Sequence, residues 1–357
     1  MIFFKQSKKI LSLILCAVTI VSANAVCLTA FADTGYVIEC SDSKFTCKHN
    51  EEYQKDVYLY ISTADNNYAV TDENDSNATL YYFDSDTNGA PFSGKYRGKK
   101  YRDGKLLNDW ERSGNKTYYC KNGVRVKGIN KIGKKVYYFD KNGVKYTGSG
   151  WKTIGKKKYY FSKGTAKTGW AMIGKNCYHF SSKGALSVNT KIDGIKVNKK
   201  GKATGPAKKY VPLYAKLLVK QITKPSQTKS EKLKICFNYV IKNYKSNGNP
   251  RIPHYTKKDW VYVYANDMFG DRRGGNCFSY AAAFAFLAKE CGYDEVYGCN
   301  SGGHGWTEVN GKVYDPEQYK DTGKKIYGWK YSNKKIANYK PAISDYKKNP
   351  WKRVKIK

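Results

Sequence analysis

Gly274-Gly275-Asn276-Cys277-Phe278-Ser279-Tyr280-Ala281-Ala282-Ala283 is the stretch on which the reading of the C-terminal half turns. Asn276 is a good helix N-cap, residues 278–290 are rich in strong helix formers, and Gly292 stands where a left-handed glycine ends a helix. The stretch therefore predicts a helix with a cysteine in its first turn. Free backbone N–H groups at such a position carry partial positive charge, which favours the thiolate form that a cysteine nucleophile needs. A cysteine at a helix start is weak support for catalysis by itself, because most cysteines are core filler or disulfide halves.

Its partners follow 27 and 38 residues later. Gly302-Gly303-His304-Gly305-Trp306-Thr307-Glu308-Val309 alternates like a strand, Asn310-Gly311 is a strong two-residue hairpin signal, and Lys312-Val313-Tyr314-Asp315 returns antiparallel. Counting outward from the turn sets Val309 opposite Lys312 and Trp306 opposite Asp315. His304 shares a face with Trp306, so His304 and Asp315 are diagonal neighbours within side-chain reach. Glu317 falls opposite His304 in the same count, but Pro316 is expected to end the ladder and turn Glu317 away. His254 lies in a loop without such a partner, so His304 is the candidate base.

The Asn276-Cys277-Phe278-Ser279-Tyr280-Ala281 helix start, the His304-Gly305-Trp306 strand and Val313-Tyr314-Asp315 together resemble the transglutaminase-like superfamily of papain-type thiol enzymes, over roughly residues 210–320. The resemblance implies an α+β fold with Cys277 as nucleophile, His304 as the base that takes its proton, and Asp315 as the group that holds the imidazole. It also implies an oxyanion site made of the nucleophile's own N–H and an upstream side-chain donor, for which Trp260 is the candidate. No cofactor and no metal are expected, and the calcium used by some animal relatives has no visible site.

Around this motif, residues 210–222 read as a helix with Pro212 near its first turn, and Thr228-Lys229-Ser230-Glu231 is a capping box. Leu233, Cys236, Phe237, Val240, Ile241 and Tyr244 make the buried stripe of the helix it opens. Residues 247–275 read as loop-rich, with strand-like 260–264. Cys291 and Cys299 flank a turn and are candidates to pair. The tail, 319–357, is rich in Lys and Tyr, and Tyr327, Trp329 and Tyr331 alternate like a further strand.

At the other end, Lys5, Lys8 and Lys9 precede an apolar run over 10–23, and Ala30-Phe31-Ala32 is an A-x-A cleavage pattern. Residues 1–32 are expected to be a secretory signal, and no other stretch reads as a membrane span. The whole chain has 65 Lys and Arg against 29 Asp and Glu, a net charge of +36; losing the leader removes three lysines and leaves +33. Such a charge points to anionic partners, and for an exported protein a wall polymer is the economical choice. Nucleic acid would rest on charge alone, since no recognition motif accompanies it. Ten cysteines become eight without the leader, in an oxidising compartment where Cys40 and Cys47 are the plausible local pair. None has C-x-x-C spacing, which argues against zinc.

Residues 33–93 are an N-terminal segment of unknown fold, with ten acids against three lysines over 33–80. From about residue 81 to 205 the chain repeats at roughly 20 residues. Gly133-Lys134-Lys135-Val136-Tyr137-Tyr138-Phe139-Asp140-Lys141-Asn142-Gly143 and Gly155-Lys156-Lys157-Lys158-Tyr159-Tyr160-Phe161-Ser162-Lys163-Gly164 are the clearest copies. Each reads as a hairpin too small to be stable alone, so neighbours must stack, and the array over 94–205 is expected to be a β-solenoid.

These repeats resemble the cell-wall-binding and glucan-binding repeats of secreted Gram-positive proteins, the choline-binding group among them. In the choline-binding version the aromatic triplet commonly leads with Trp and helps cage a quaternary ammonium. Here the leading positions hold Thr117, Val136, Lys158 and Cys177. Stacking of Trp151, Tyr160, Trp170, Tyr138 and Tyr178 on sugar rings, with lysines against phosphate, fits better than choline. The expected protein is multidomain: a signal (1–32), the acidic segment (33–93), wall-binding repeats (94–205) and a transglutaminase-like α+β domain (206–357). Its expected role is a secreted, wall-associated thiol enzyme that hydrolyses or transamidates protein or peptide amides. Its expected partners are a wall polymer (peptidoglycan, teichoic acid or glucan) and that substrate. The alternative is a surface adhesin that keeps the fold without the chemistry.

Overall fold

A computed structural model describes residues 27–30, 36–41, 44–49, 52–53, 57–62, 69–71, 78–83, 91–96, 98–246, 254–270, 272–339 and 347–357. The chain forms two compact units, 1–128 with 139–145, and 129–138 with 146–357. Among the described residues no helix is long and apolar enough to cross a membrane.

In the first unit the acidic segment is strand-rich. Cys27–Ala30, Tyr36–Ser41, Lys44–His49 and Glu52–Tyr53 make one antiparallel sheet, and Val57–Ser62 lies between Ala69–Thr71 and Ala78–Phe83 in another. The strand Cys27–Ala30 is the described part of the expected leader. The expected local disulfide is not formed: the register sets Cys47 opposite Ile38 and Cys40 opposite Phe45, and Cys47 is a free, buried thiol. The Cys40 side chain lies outside the described residues. Hairpins then follow, such as Trp110–Ser113 with Lys116–Lys121. Glu111 of that hairpin accepts two hydrogen bonds from Arg125, at 2.6 and 2.9 Å, and one from Lys100. The Arg125 bonds, with Lys100 behind them, hold its carboxyl down at about 2 against the cost of burial.

The second unit continues the pattern with Gly150–Ile154 against Lys157–Ser162 and Gly169–Ile173 against Asn176–Phe180. Val136, Tyr159, Phe161 and Ala166 share one small core. The repeats are thus a succession of antiparallel hairpins in open sheets. After Ala203–Gly205 the secondary structure changes to helix, but the packing does not break. Tyr210, Val211 and Tyr214 of α1 (Ala207–Ile222) share a core with Cys177, Ile195 and Ala203 of the hairpins.

The helix α2 (Lys229–Asn243) starts at the capping box formed by Thr228 and Glu231, satisfying two N-terminal donors. Residues 260–264 are not a strand: they open α3 (Trp260–Phe269). The alternation of aromatic and β-branched residues mimics a strand, yet the buried set is Trp260, Val261, Tyr264, Ala265, Met268 and Phe269, a helical spacing. Packing against the central helix α4 (Cys277–Glu290) overrides local propensity. Every residue of α4 from 278 to 288 is buried. The alanines at 281–283, 285 and 288 let neighbouring helices approach closely, while Phe284 and Phe286 each contribute about 1.5–3 kcal/mol of burial.

A five-stranded antiparallel sheet lies on α4, in the order Ile326–Lys330, Lys312–Asp315, Gly305–Val309, Val296–Asn300, Arg353–Lys355. The buried Thr307 hydroxyl donates to the Ala281 carbonyl at 2.7 Å, pinning strand to helix. The two-residue turn forms as expected, with φ of 46° at Asn310 and 70° at Gly311 and with Val309 opposite Lys312. Cys236 and Cys291 are neighbours, Sγ to Sγ 3.6 Å, as free thiols; Cys299 is buried elsewhere, so the expected Cys291–Cys299 pair is absent.

Candidate active site

The site is assembled from the start of α4 upward. Gly274–Gly275 pairs in parallel with Lys245–Ser246, which delivers Asn276 in extended conformation as the N-cap. Its carbonyl accepts from Ser279 N at 2.9 Å and Tyr280 N at 3.0 Å, starting the helix at Cys277. Gly275 is required by contact, since a Cβ there would sit 2.2 Å from Ser279 Oγ. Cys277 is half-buried, unlike the other described cysteines, which are buried. The bonds to Asn276 begin at Ser279 N, so the N–H groups of Cys277 and Phe278 lie ahead of the first intrahelical acceptor.

His304 precedes the strand Gly305–Val309. Its N–H donates to Ser301 Oγ at 3.2 Å and its carbonyl accepts from Ser301 N at 2.9 Å, closing the Ser301-Gly302-Gly303-His304 loop. Gly305 explains why glycine follows the histidine. A Cβ there would lie 2.8 Å from Phe278 Cδ1, 3.0 Å from Phe278 Cα and 3.1 Å from Phe278 N. The strand therefore rests directly on the first turn of α4, which brings the imidazole to the thiol.

His304 Nε2 bonds to Asp315 Oδ2 at 2.6 Å. Asp315 is buried, ends its strand and caps α5 (Pro316–Thr322), with Oδ1 accepting from Gln318 N at 3.0 Å. Its Oδ2 takes a further bond from Tyr339 Oη at 2.7 Å. Three donors thus fix the carboxylate, and its bond to Nε2 leaves Nδ1 as the ring nitrogen for the thiol. Burial pulls the His304 ring toward neutrality, but the bonds and charges of Asp315 and Cys277 outweigh it and lift its pKa from 6.5 to about 10.

Two residues at this site escaped the sequence reading. Glu317 does leave the ladder at Pro316, but α5 carries it back: its carboxylate, the Cys277 Sγ and a ring nitrogen of His304 all lie within 4.8 Å of one another. Burial first, then the negative charge of Asp321 and Asp315, raise the Glu317 pKa to about 7, against an opposing pull from His304. Thiolate, imidazole and carboxylate are zinc ligands, so these three atoms are where such an ion would block the nucleophile. Tyr339, 24 residues beyond Asp315, is the second. Its ring stands edge-on to His304 and to Trp306, 5.4 Å between centroids in each case, in a small core with Cys299 and Val313. No local pattern marks it within the lysine-rich tail.

Trp260 is corrected. Its ring is fully buried and Nε1 is donated to the Trp351 carbonyl at 2.8 Å, so it has no N–H left for an oxyanion. The His254 side chain lies outside the described residues. Of the proposed wall-binding aromatics, the structure gathers Trp151, Tyr160 and Tyr178, with ring centroids 5.2 and 5.0 Å from Trp151. Trp170 belongs to the next hairpin, its Nε1 held by Asp193 at 3.0 Å, and Tyr138 sits apart beside Tyr146.

Residues 216–329 match the model of the transglutaminase-like superfamily, and residues 130–145 and 149–164 match that of a cell wall binding repeat. Solved structures similar to the chain include CbpJ from Streptococcus pneumoniae TIGR4, at 28% identity and a TM-score of 0.28 over 48% of this chain and 58% of that one. Choline binding protein F from Streptococcus pneumoniae is similar in two crystal structures. One gives 27% identity and a TM-score of 0.25 over 48% of this chain and 58% of that one. The other, in the presence of a peptidoglycan analogue, gives 26% and 0.26 over 51% and 70%. No curated protein matches the chain.

Proposed function

We propose that this chain is a secreted, wall-attached thiol enzyme that opens protein or peptide amide bonds through Cys277, His304 and Asp315. The leader pattern over 1–32 supports export, and the wall-binding repeats supply the attachment. One observation carries the chemistry: Cys277 Sγ lies within 4.8 Å of an imidazole whose far nitrogen is bonded at 2.6 Å to a buried, fully satisfied carboxylate.

The step follows from that geometry. The Cys277 sulfur forms a bond to the amide carbonyl carbon, and the partial positive charge of the α4 N-terminus stabilises the developing oxyanion. His304, held as imidazolium by Asp315, gives the Nδ1 proton to the leaving nitrogen as the C–N bond breaks, leaving a thioester. Water or an amine then attacks, passes its proton to His304 and releases the sulfur. Water gives hydrolysis and a lysine amine gives a crosslink.

The test is mass spectrometry of the full chain after exposure to a thiol-reactive acyl probe, for wild type, Cys277→Ser and His304→Ala. Acylation confined to the Cys277 peptide and lost in both variants is expected. Acylation spread evenly over the cysteines, or absent from Cys277, defeats the enzyme reading and leaves the adhesin.

A further inference from the structure

A cavity of about 740 Å³ opens in the repeats of the second unit. Trp151 and Tyr178 form one wall, and Lys156, Lys157, Lys158, Lys199, Lys200 and Lys202 surround it. From this we infer that the cavity binds a polyol-phosphate chain and rejects quaternary ammonium groups. The inference rests on the wall-anchor reading above and names its ligand.

The aromatic wall has the makings of an ammonium cage. Trp151 pairs with Tyr160 across the hairpin, and Tyr160 and Tyr178 both meet it edge-on, at 77° and 73°. The cage, however, already has a cation. Lys158 lies opposite Thr153, diagonal to Trp151 on the same sheet face, and its Nζ stands 4.7 Å from the indole centroid. Lys152 does the same over Tyr146, at 4.8 Å, and more distantly over Tyr138. A chain with lysine at the leading position of the triplet therefore fills with its own ammonium the aromatic face that a free choline would need.

What remains is a concentrated positive field. Six lysines from two segments, 156–158 and 199–202, line one cavity, and none of its lining residues is a carboxylate. A concave site lined by one sign of charge raises the local concentration of counter-ions. Phosphate is the anion that lysine binds as a point charge. Leu186 and Val188, the latter 46% exposed, give the cavity apolar surface for the carbon segments between phosphates. An alternating chain of phosphodiesters and short polyols fits both features, whereas a neutral glucan would leave the lysines unused.

The experiment uses the full chain and a synthetic glycerol-phosphate oligomer, with choline, matched poly-glutamate and cell walls as further arms. Saturable oligomer binding is expected, weakening as salt rises. Trp151→Ala removes the ring that seats the Lys158 ammonium at the cavity wall and should weaken it about tenfold. The double variant Lys199→Gln/Lys200→Gln changes two exposed side chains and should weaken it about fivefold with no change in fold. Competition by millimolar choline, equal binding of poly-glutamate, or an unaffected lysine double variant would overturn the assignment. Walls stripped of phosphate polymers should lose the protein. If they hold it as well as intact walls, the ligand is wrong and the anchor stands; no sedimentation with intact walls defeats the anchor itself.

Discussion

Replacing Asp315 with asparagine isolates the group on which the imidazole depends. In the wild type His304 is raised from 6.5 to about 10, so the pair's stabilisation is fully present below pH 6.5 and is lost as pH rises through 10. At 1.36 kcal/mol per unit this has an upper bound of roughly 5 kcal/mol, and the 31% exposure of the ring reduces it to about 2. Asparagine keeps the shape and removes the charge. Its amide still accepts from Gln318 N or Tyr339 Oη, but nothing then holds Nε2–H, and the proton moves to Nδ1, where it faces the sulfur. The variant should be about 2–3 kcal/mol less stable than wild type at pH 6, narrowing to about 1 kcal/mol, one hydrogen bond, at pH 10.5. Acyl transfer should fall on the order of 10³–10⁴-fold, the cost of the wrong tautomer. Urea unfolding at pH 6, 8 and 10.5, with single-turnover kinetics on the same protein, gives both numbers. A stability gap that does not change with pH, or activity within tenfold of wild type, would refute the coupling. Tyr339→Phe is the companion: it removes one of three donors to Asp315, so it should cost about 1 kcal/mol and leave the tautomer in place.

Other outcomes follow from the same contacts. Glu317, raised from 4.5 to about 7, destabilises the fold as it ionises above 4.5, so Glu317→Gln should stabilise the protein by about 1–2 kcal/mol at pH 8 and make no difference at pH 4. Thermal scans at the two pH values decide this, and equal shifts would count against a buried Glu317. Gly305→Ala places a methyl against Phe278 backbone and should cost about 1–3 kcal/mol with a loss of turnover, read from unfolding and kinetics. An unchanged midpoint would mean that the strand does not rest on the helix start. Iodoacetamide should label Cys277 well before Cys236, Cys177 and Cys299, because burial raises Cys177 to about 12 and Cys299 well above its usual range, and the Cys291 contact, then burial, raises Cys236. Peptide-resolved labelling rates test the order.

The sequence alone determined what is local. Asn276 before a run of helix formers, the Thr228 capping box and the Asn310-Gly311 turn each set backbone geometry within a few residues, so the helix starts and the hairpin register were legible. That register placed His304 diagonal to Asp315 by counting. The 20-residue period likewise exposed the hairpin array. Tertiary packing decided the rest. Residues 260–264 alternate like a strand but are helical because they pack against α4, a contact that no local signal reveals. The tail beyond its strand-like 327–331 carries no local pattern, yet Tyr339 completes the carboxylate's bonds, Trp351 takes the Trp260 indole N–H, and Arg353–Lys355 pairs at the sheet edge. Glu317 depends on packing in the same way: Pro316 removes it from the ladder, but the helix that begins there brings its carboxylate back near the thiol. Contacts between distant segments depend on how faces pack in space, and spacing along the chain carries no record of that.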